Sequence, residues 1–187
     1  LRATKMKIRI HGVTDPGKPG ARNDDVWLTD PELRMSVVCD GVSGQPGGAT
    51  AAKIASSALR EALRAQKPSL DALITQKSQE SREELKTLLQ SAIQAANEAV
   101  LQAALNDKGL AGMASTMEVV VLTVGHAMIG HVGDSRSFIV RGGDAHLLTE
   151  DHRVGIEMVK QGAWTPEVAA ASPFGRTLTR AIGLSPY

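Results

Sequence analysis

The chain has 187 residues, which is the size of one domain and long enough to bury a substantial hydrophobic core. Apolar residues make up 42% of it, and no apolar run approaches the roughly 18 residues of a membrane-spanning helix, so the composition excludes a disordered chain and predicts no membrane partner. With 21 basic and 20 acidic residues, the chain has no global charge that would indicate a nucleic-acid partner.

A single cysteine, Cys39, lies inside an apolar run, so an internal disulfide is impossible and a reducing compartment is expected. The first residues are basic but lead into no apolar stretch of the kind that a secretory signal carries. Together these features predict a cytoplasmic protein. We expect Cys39 to be a buried packing residue, because no basic residue close in sequence would activate its thiol.

The first segments of the chain have strand-like patterns. Residues 7–11 alternate as a half-exposed strand does, and residues 14–20 are rich in Gly and Pro and predict a loop. A strand pair is predicted at Val26–Leu28 and Met35–Cys39, joined by a turn around Asp30-Pro31.

Helical patterns follow. Alanines and leucines recur at helical spacing from about residue 49 to 66. The polar stretch at 68–79 predicts a mobile connection, and Ser81 and Glu84 have the form of a capping box that starts a long second helix. The sequence at 106–109 ends that helix, and the apolar stripes of both helices predict core packing.

The period then changes back from helical to strand-like. Strands are predicted at 117–124, 127–132, 137–140 and 145–148. A short helix around 153–161 and a Pro-containing stretch at 165–173 come after them. Strands, then helices, then strands again predict an α+β layered domain rather than a βαβ repeat.

Acidic residues next to three of these strands carry the functional prediction. Asp40 and Gly41 close the second strand, where a carboxylate at the sheet rim offers a hard oxygen ligand and the glycine lets its carbonyl come close to the same ion. Asp-Gly is also a favoured hairpin turn, so this pair alone decides little. Because Asn23-Asp24-Asp25 and Asp134 add acidic sites beside other strands, the three together predict a metal centre.

Each of these sites also has a purely structural interpretation. Asp24-Asp25 could cap a helix or a turn, and Asp134 could close a strand turn with Arg136 as its surface partner. The metal interpretation is preferred at both places. At Asp151-His152, in contrast, a structural turn is expected, because the histidines lack metal-ligand spacing.

Six short elements occur in a familiar order: Asn23-Asp24-Asp25, Val38–Gly44, Met113–Thr116, Val132–Arg136, Leu148–His152 and Leu178–Gly183. In this order and at these spacings the chain resembles the metal-dependent protein phosphatases, the type 2C serine/threonine class, and within it the bacterial members. The resemblance runs from about residue 8 to the last residue. Any one element is common, but six in order are specific.

The resemblance implies a four-layer α/β/β/α sandwich of two antiparallel sheets flanked by helices, with residues 1–187 in a single phosphatase catalytic domain. It implies hydrolysis of phosphoserine and phosphothreonine in proteins by a hydroxide that bridges two divalent metal ions. The ions would be Mn²⁺ or Mg²⁺, two or three per site, which matches a site rich in aspartate. The implied partners are phosphorylated proteins, modified by a bacterial cytoplasmic Ser/Thr kinase.

The same resemblance assigns roles to single residues. Asp40 would bridge both metal ions, and Gly41 would bind one of them through its carbonyl. Asp25 or Asp24 would hold the site directly or through water, and Asp134 would serve a third, weaker metal position. Asp40 and Asp25 are thus the catalytic candidates.

The chain departs from the family pattern around the substrate and the loop. Gly20 stands where many relatives carry an arginine that clamps the substrate phosphate, so Arg22 or Lys18 is predicted to substitute, although a lysine cannot grip bidentately. Ser43 replaces a usual glycine, and Val42 stands where eukaryotic relatives place a histidine.

The family completes its metal site with two later aspartates and its sheets with later strands, all expected beyond Tyr187. The domain is therefore expected to be incomplete at its C-terminus, continued by further chain or by a partner chain. These departures leave an alternative open, a phosphatase-like regulatory interaction module without turnover. A nucleotide site in the Gly-rich loop at 44–48 is least favoured, because no Gly-Lys-Ser/Thr follows.

Overall fold

A computed structural model describes residues 8–42 and 47–184. The described chain forms two antiparallel sheets flanked by helices, which is the predicted α+β class. The elements are β1 (Asp25–Asp30), β2 (Met35–Asp40), α1 (Gly48–Ala65), α2 (Lys67–Thr75), α3 (Gln79–Asn106), β3 (Met117–Leu122), β4 (Ala127–Val132), β5 (Phe138–Arg141), β6 (Asp144–Leu147), α4 (Val154–Lys160) and α5 (Pro166–Ala171).

The larger sheet has four strands in the order β1-β2-β3-β4, and every neighbouring pair is antiparallel. Its register places Asp25 opposite Asp40 and Met117 opposite Val132. The smaller sheet is the two-stranded ribbon β5-β6. The predicted strands at 26–28, 35–39 and after residue 117 are therefore confirmed, with small changes at their ends.

One face of the four-stranded sheet packs against α1 and α3 and forms the core. Alternate residues of β2 and β3 point toward these helices, because successive side chains of a strand lie on opposite faces. The inward-pointing side chains are at most 1% exposed and are Met35, Val37, Cys39, Met117, Val119 and Val121. Burial raises the pKa of the Cys39 thiol to about 12, so its expected packing role is confirmed.

The prediction of a mobile stretch at 68–79 is wrong, because most of it forms α2. Pro68 lies in the first turn, where its missing N–H costs no hydrogen bond. Leu70, Leu73 and Ile74 recur at helical spacing and are buried. The polar residues on both sides of this short stripe hide it in the sequence.

The predicted start of the long helix is also wrong by one turn. The N-cap of α3 is Ser78, whose hydroxyl accepts a hydrogen bond from the backbone N–H of Ser81 at 3.1 Å. The helix ends at Asn106, as predicted. Within the described ranges, no helix is both long and apolar enough to cross a membrane.

The strand predicted at 7–11 is not found: residues 8–11 have no regular structure, and residue 7 lies outside the described ranges. The next residue, Gly12, lies against the ring of Trp27, where an added Cβ would come within 2.3 Å of the indole. The segment therefore contacts β1 through the side chain of Trp27. Alternation in sequence could not reveal this, because a strand also needs a pairing edge.

Candidate functional site

Two aspartates meet at one end of the β1-β2 pair. Because the antiparallel register places Asp25 opposite Asp40, their side chains leave the same face of the sheet, the one turned away from the helices. A cleft of about 430 Å³ opens on this face. It is lined by Asp25, Ser36, Val37, Val38, Asp40, Glu118, Val120, Ser135, Arg136 and Ser137.

Hydroxyl residues just before β3 hold the backbone of Asp40. Its N–H donates to Thr116 Oγ1 at 3.0 Å, and its carbonyl accepts from the Thr116 N–H at 2.8 Å and from Ser115 Oγ at 3.0 Å. Thr116 Oγ1 also shares a hydrogen bond of 2.7 Å with Ser135 Oγ. Thr116 thus connects Asp40 directly to the turn that carries Asp134.

Gly41 brings the start of α1 and the Asp24 backbone next to Asp40. Its N–H donates to the carbonyl of Asp24 at 3.2 Å. An added Cβ would lie 2.3 Å from the carbonyl carbon of Gly48 and 2.9 Å from the Asp24 oxygen. Because the clashing atoms belong to the backbone, only glycine fits, and this close approach is a second reason for the Asp-Gly pair.

The electrostatics of the cleft concentrate negative charge at Asp40. Partial loss of hydration, the charge of Asp25 and a hydrogen bond with Asp25 are the largest causes that raise the pKa of this carboxyl to about 6. Asp134 and Asp24 act in the same direction. The charges of three neighbouring carboxylates therefore disfavour the ionisation of Asp40, and a bound cation would relieve this repulsion.

The residues present fit a divalent cation in donor type and charge. Asp24 Oδ1 is buried and has no hydrogen-bond partner in the described ranges; the nearest cation, Arg22 Nε, is 3.7 Å away. Carboxylate oxygens are the ligands that Mg²⁺ and Mn²⁺ prefer. However, no three Asp, Glu, His or Cys side chains of residues 8–42 and 47–184 converge on one position, so these residues supply only part of a coordination shell.

Asp134 is engaged in an ion pair. Its Oδ2 accepts from Arg153 Nε at 2.8 Å and from Arg153 Nη2 at 2.5 Å. Arg136, the surface partner considered for Asp134, is wrong in that role: its Nε and Nη2 donate to the two carboxylate oxygens of Asp151 at 2.6 and 2.7 Å. The hydrogen bonds from Arg136 hold the pKa of Asp151 below its usual value.

The Asp151-His152 pair has the structural role expected for it. Asp151 is buried in its ion pair, and His152 Nδ1 accepts from the Gly133 N–H at 3.1 Å. Next to it, His131 Nδ1 lies 2.5 Å from the buried Glu118 carboxylate, whose hydrogen bond raises the pKa of the imidazole. These contacts fix the turn around Gly133 from behind.

The two candidates for binding the substrate phosphate lie outside the cleft lining. Arg22 has a side chain that is 79% exposed, and Lys18 is an exposed residue of the loop before β1. Ser43 and residues 44–46 of the Gly-rich loop lie outside the described ranges.

Sequence reasoning missed the clamp around Asp40. Thr116 and Ser115 belong to a recognised element, yet no role was predicted for them or for Ser135. The available signal was two adjacent hydroxyl residues immediately before a buried strand. That signal does not identify Asp40 as the partner, because Asp40 lies 76 positions before Thr116 in the sequence.

Solved structures define the class of protein to which this fold belongs, the bacterial serine/threonine phosphatases. The Streptococcus agalactiae serine/threonine phosphatase superposes with a TM-score of 0.76 at 27% identity, over 93% of this chain and 68% of that one. A PPM Ser-Thr phosphatase from Mycobacterium smegmatis, solved with cacodylate, gives 0.69 at 26% identity, over 94% and 67%.

Sequence comparisons then identify the family. Residues 17–160 match the family model described as protein phosphatase 2C. Protein phosphatase PhpP of Streptococcus pneumoniae is 29% identical over 179 residues, or 94% of this chain and 68% of the relative. A putative protein phosphatase 2C-type of Streptococcus pyogenes is 30% identical over 182 residues, or 95% and 68%. The chain belongs to the protein phosphatase 2C family.

Proposed function

We propose that this chain carries part of a single catalytic domain that hydrolyses phosphoserine and phosphothreonine in proteins, using Mn²⁺ or Mg²⁺. The observation that carries the proposal is the meeting of Asp25 and Asp40 at one strand end, where partial burial and neighbouring carboxylates raise the pKa of Asp40 to about 6. Membership of the protein phosphatase 2C family and relatives named as serine/threonine phosphatases support it.

In this proposal, Asp40 would be the main ligand of the divalent ions, and Gly41 would contribute its carbonyl. Asp25 and Asp24 hold the site directly or through water, and the unpartnered Asp24 Oδ1 supports this role. When bound, two such ions supply a water of lowered pKa and neutralise the phosphoryl oxygens. A neighbour of the same fold, the catalytic domain of PstP, was solved in complex with two manganese ions.

The chain's own residues then orient the site and the substrate. Thr116 and Ser115 fix the Asp40 backbone, so the position from which its carboxylate extends into the cleft is fixed. Of the two phosphate-binding candidates, we favour Arg22 over Lys18. Its guanidinium already lies 3.7 Å from Asp24 Oδ1, and a guanidinium can bind a phosphate through two hydrogen bonds.

The substrates in this proposal are phosphorylated proteins, and the reaction opposes a bacterial Ser/Thr kinase in the cytoplasm. A second candidate function, a phosphatase-like interaction module without turnover, is favoured by one observation. No three potential ligand side chains of the described residues converge on one ion position.

Replacing one carboxylate tests the two functions. We expect Asp40→Asn to lower Mn²⁺-dependent phosphate release from a phosphothreonine peptide by about a thousandfold, because a main ligand is worth several kcal/mol of transition-state stabilisation. Asp144→Asn, in the exposed β5-β6 ribbon, is the matched control and should leave the rate unchanged. Equal rates in both variants would refute the proposed roles, and a protein that binds phosphopeptide without releasing phosphate would support the interaction module.

A further inference from the structure

Arg153 lies between two carboxylates at the edge of the candidate site. It is the N-cap residue of α4. Its Nε and Nη2 donate to Asp134 Oδ2 at 2.8 and 2.5 Å, and its Nη1 lies 3.4 Å from Asp151 Oδ2. All three nitrogens of the guanidinium therefore have carboxylate partners.

The pair is partly removed from water. The side chain of Arg153 is 29% exposed and that of Asp134 is 21% exposed, while Asp151 is only 3% exposed. Arg136 holds Asp151 from its other side through two hydrogen bonds. Arg153 is thus anchored by a carboxylate that is itself fixed, so it cannot leave Asp134 without giving up a second ion pair.

Asp134 lies within electrostatic reach of the metal candidates, since its charge contributes to the raised pKa of Asp40. An additional divalent ion at Asp134 would have to displace the guanidinium or lie beside it. Displacement of the guanidinium would remove its positive charge from both Asp134 and Asp151. If the ion instead lay beside the guanidinium, two positive charges would be close together.

We propose that Arg153 is a built-in cation that balances the charge of Asp134, so that this carboxylate does not hold an additional metal ion in this protein. The inference rests on the proposed function, which supplies divalent ions at Asp40. It removes Asp134 from the metal ligands and assigns Arg153 as a positioning residue. Through this ion pair, the start of α4 is attached to the turn that follows β4.

Counting bound ions in a double-mutant cycle tests this proposal. The purified protein, Asp134→Asn, Arg153→Gln and the double variant are titrated with Mn²⁺, and bound ions per chain are measured by calorimetry and by electron paramagnetic resonance of free Mn²⁺. In the parent background we expect Asp134→Asn to leave the number of bound ions unchanged. Arg153→Gln should bind one more Mn²⁺ per chain than the parent, and the double variant should lose this additional ion.

Loss of a bound Mn²⁺ from Asp134→Asn in the parent background would overturn the proposal. So would the absence of an Asp134-dependent ion in Arg153→Gln. Arg153→Lys is the matched control, because it keeps a positive charge; it should bind no additional ion. The parent and Asp134→Asn keep the comparison decisive if Arg153→Gln does not fold.

Thermal unfolding gives a second readout that does not depend on activity. Without metal, Arg153→Gln should have a lower Tm, and Mn²⁺ should raise it more than in the parent protein, because the ion replaces the lost cation. Asp40→Asn separates this inference from the proposed function. If Asp40→Asn leaves all Mn²⁺ binding intact, the proposed metal site is wrong. The proposal for Arg153 is decided separately, by the number of bound Mn²⁺ ions that differs between the Arg153 and Asp134 variants.

Discussion

The two faces of the four-stranded sheet differ in what they contain. On β2, Met35, Val37 and Cys39 point toward the helices and are at most 1% exposed, whereas Val38, next to Asp40, points the other way and is 46% exposed. The six residues of β2 thus provide core packing on one face of the sheet and part of the candidate site on the other. A shift of one residue in register would exchange the two sets, so the buried face also fixes where Asp40 lies.

This difference predicts that stability and chemistry can be altered separately. Substitutions toward the helices should change the free energy of unfolding, and substitutions toward the cleft should change catalysis. A core variant that slows catalysis without loss of stability, or a cleft variant that lowers the free energy of unfolding as much as a core variant does, would contradict this separation.

The largest effect on stability is expected in the core behind the sheet. Leu59 of α1 is fully buried, so Leu59→Ala should lower the free energy of unfolding by about 2–5 kcal/mol through lost contacts and a cavity. Val38→Ala, on the open face of β2, should cost less than about 1 kcal/mol. Urea unfolding followed by circular dichroism measures both, and equal losses would show that the open face also carries the fold.

A smaller effect, on activity, is expected from Thr116→Val. The variant loses the hydroxyl that joins Asp40 to Ser135, so we expect about 10- to 100-fold slower phosphate release at saturating Mn²⁺. Thr123→Val is the matched control: Thr123 is about equally buried and lies after the other end of β3, and within the described ranges its hydroxyl bonds to His126 alone. Both should lose about 1 kcal/mol of stability, so a control with equally impaired activity would contradict the assigned role.

The smallest effect is a dependence of the free energy of unfolding on pH, which comes from Asp40 on the open face. In the folded metal-free protein the pKa of Asp40 is about 6, against an ordinary value of 3.8. Between these values the folded state binds more protons than the unfolded state, so the Asp40 contribution to the free energy of unfolding falls as pH rises from about 4 to 6. Unfolding in chelator at several pH values should show this decline in the difference between the parent protein and Asp40→Asn, because the other titrating groups, such as Asp151, are common to both. A difference between parent and Asp40→Asn that stays constant with pH would argue against the crowded carboxylates.

The sequence predicted the helix-packed face better than the open one. The pattern of Met35, Val37 and Cys39 follows the strand period, and α1 and the end of α3 follow the helical period, so local order was sufficient. The prediction from sequence failed at α2, where only three large apolar residues mark a short helix. It also failed at residues 8–11, where an alternating pattern did not imply a pairing partner.

At the candidate site, the sequence indicated candidate residues, but it did not indicate most of the contacts that those residues make. Asp40 and Asp25 were identified from strand ends, and their register brings them together. The bond from Asp40 to Thr116 spans 76 positions, and the ion pair from Arg153 to Asp134 spans 19. Such contacts depend on how the sheet, the turn and the helix pack together, and the order of motifs in a sequence does not give the distances between them in space.

The contact between Gly41 and Gly48 has a consequence for how this site can vary. At this crossing the neighbouring atoms of Gly41 belong to the backbone, which cannot rotate aside as a side chain can. The spacing between the first turn of α1 and Asp40 is therefore set by the main chain itself. Variants that keep both glycines should therefore tolerate changes in the surrounding side chains while the geometry of the acidic strand end stays the same.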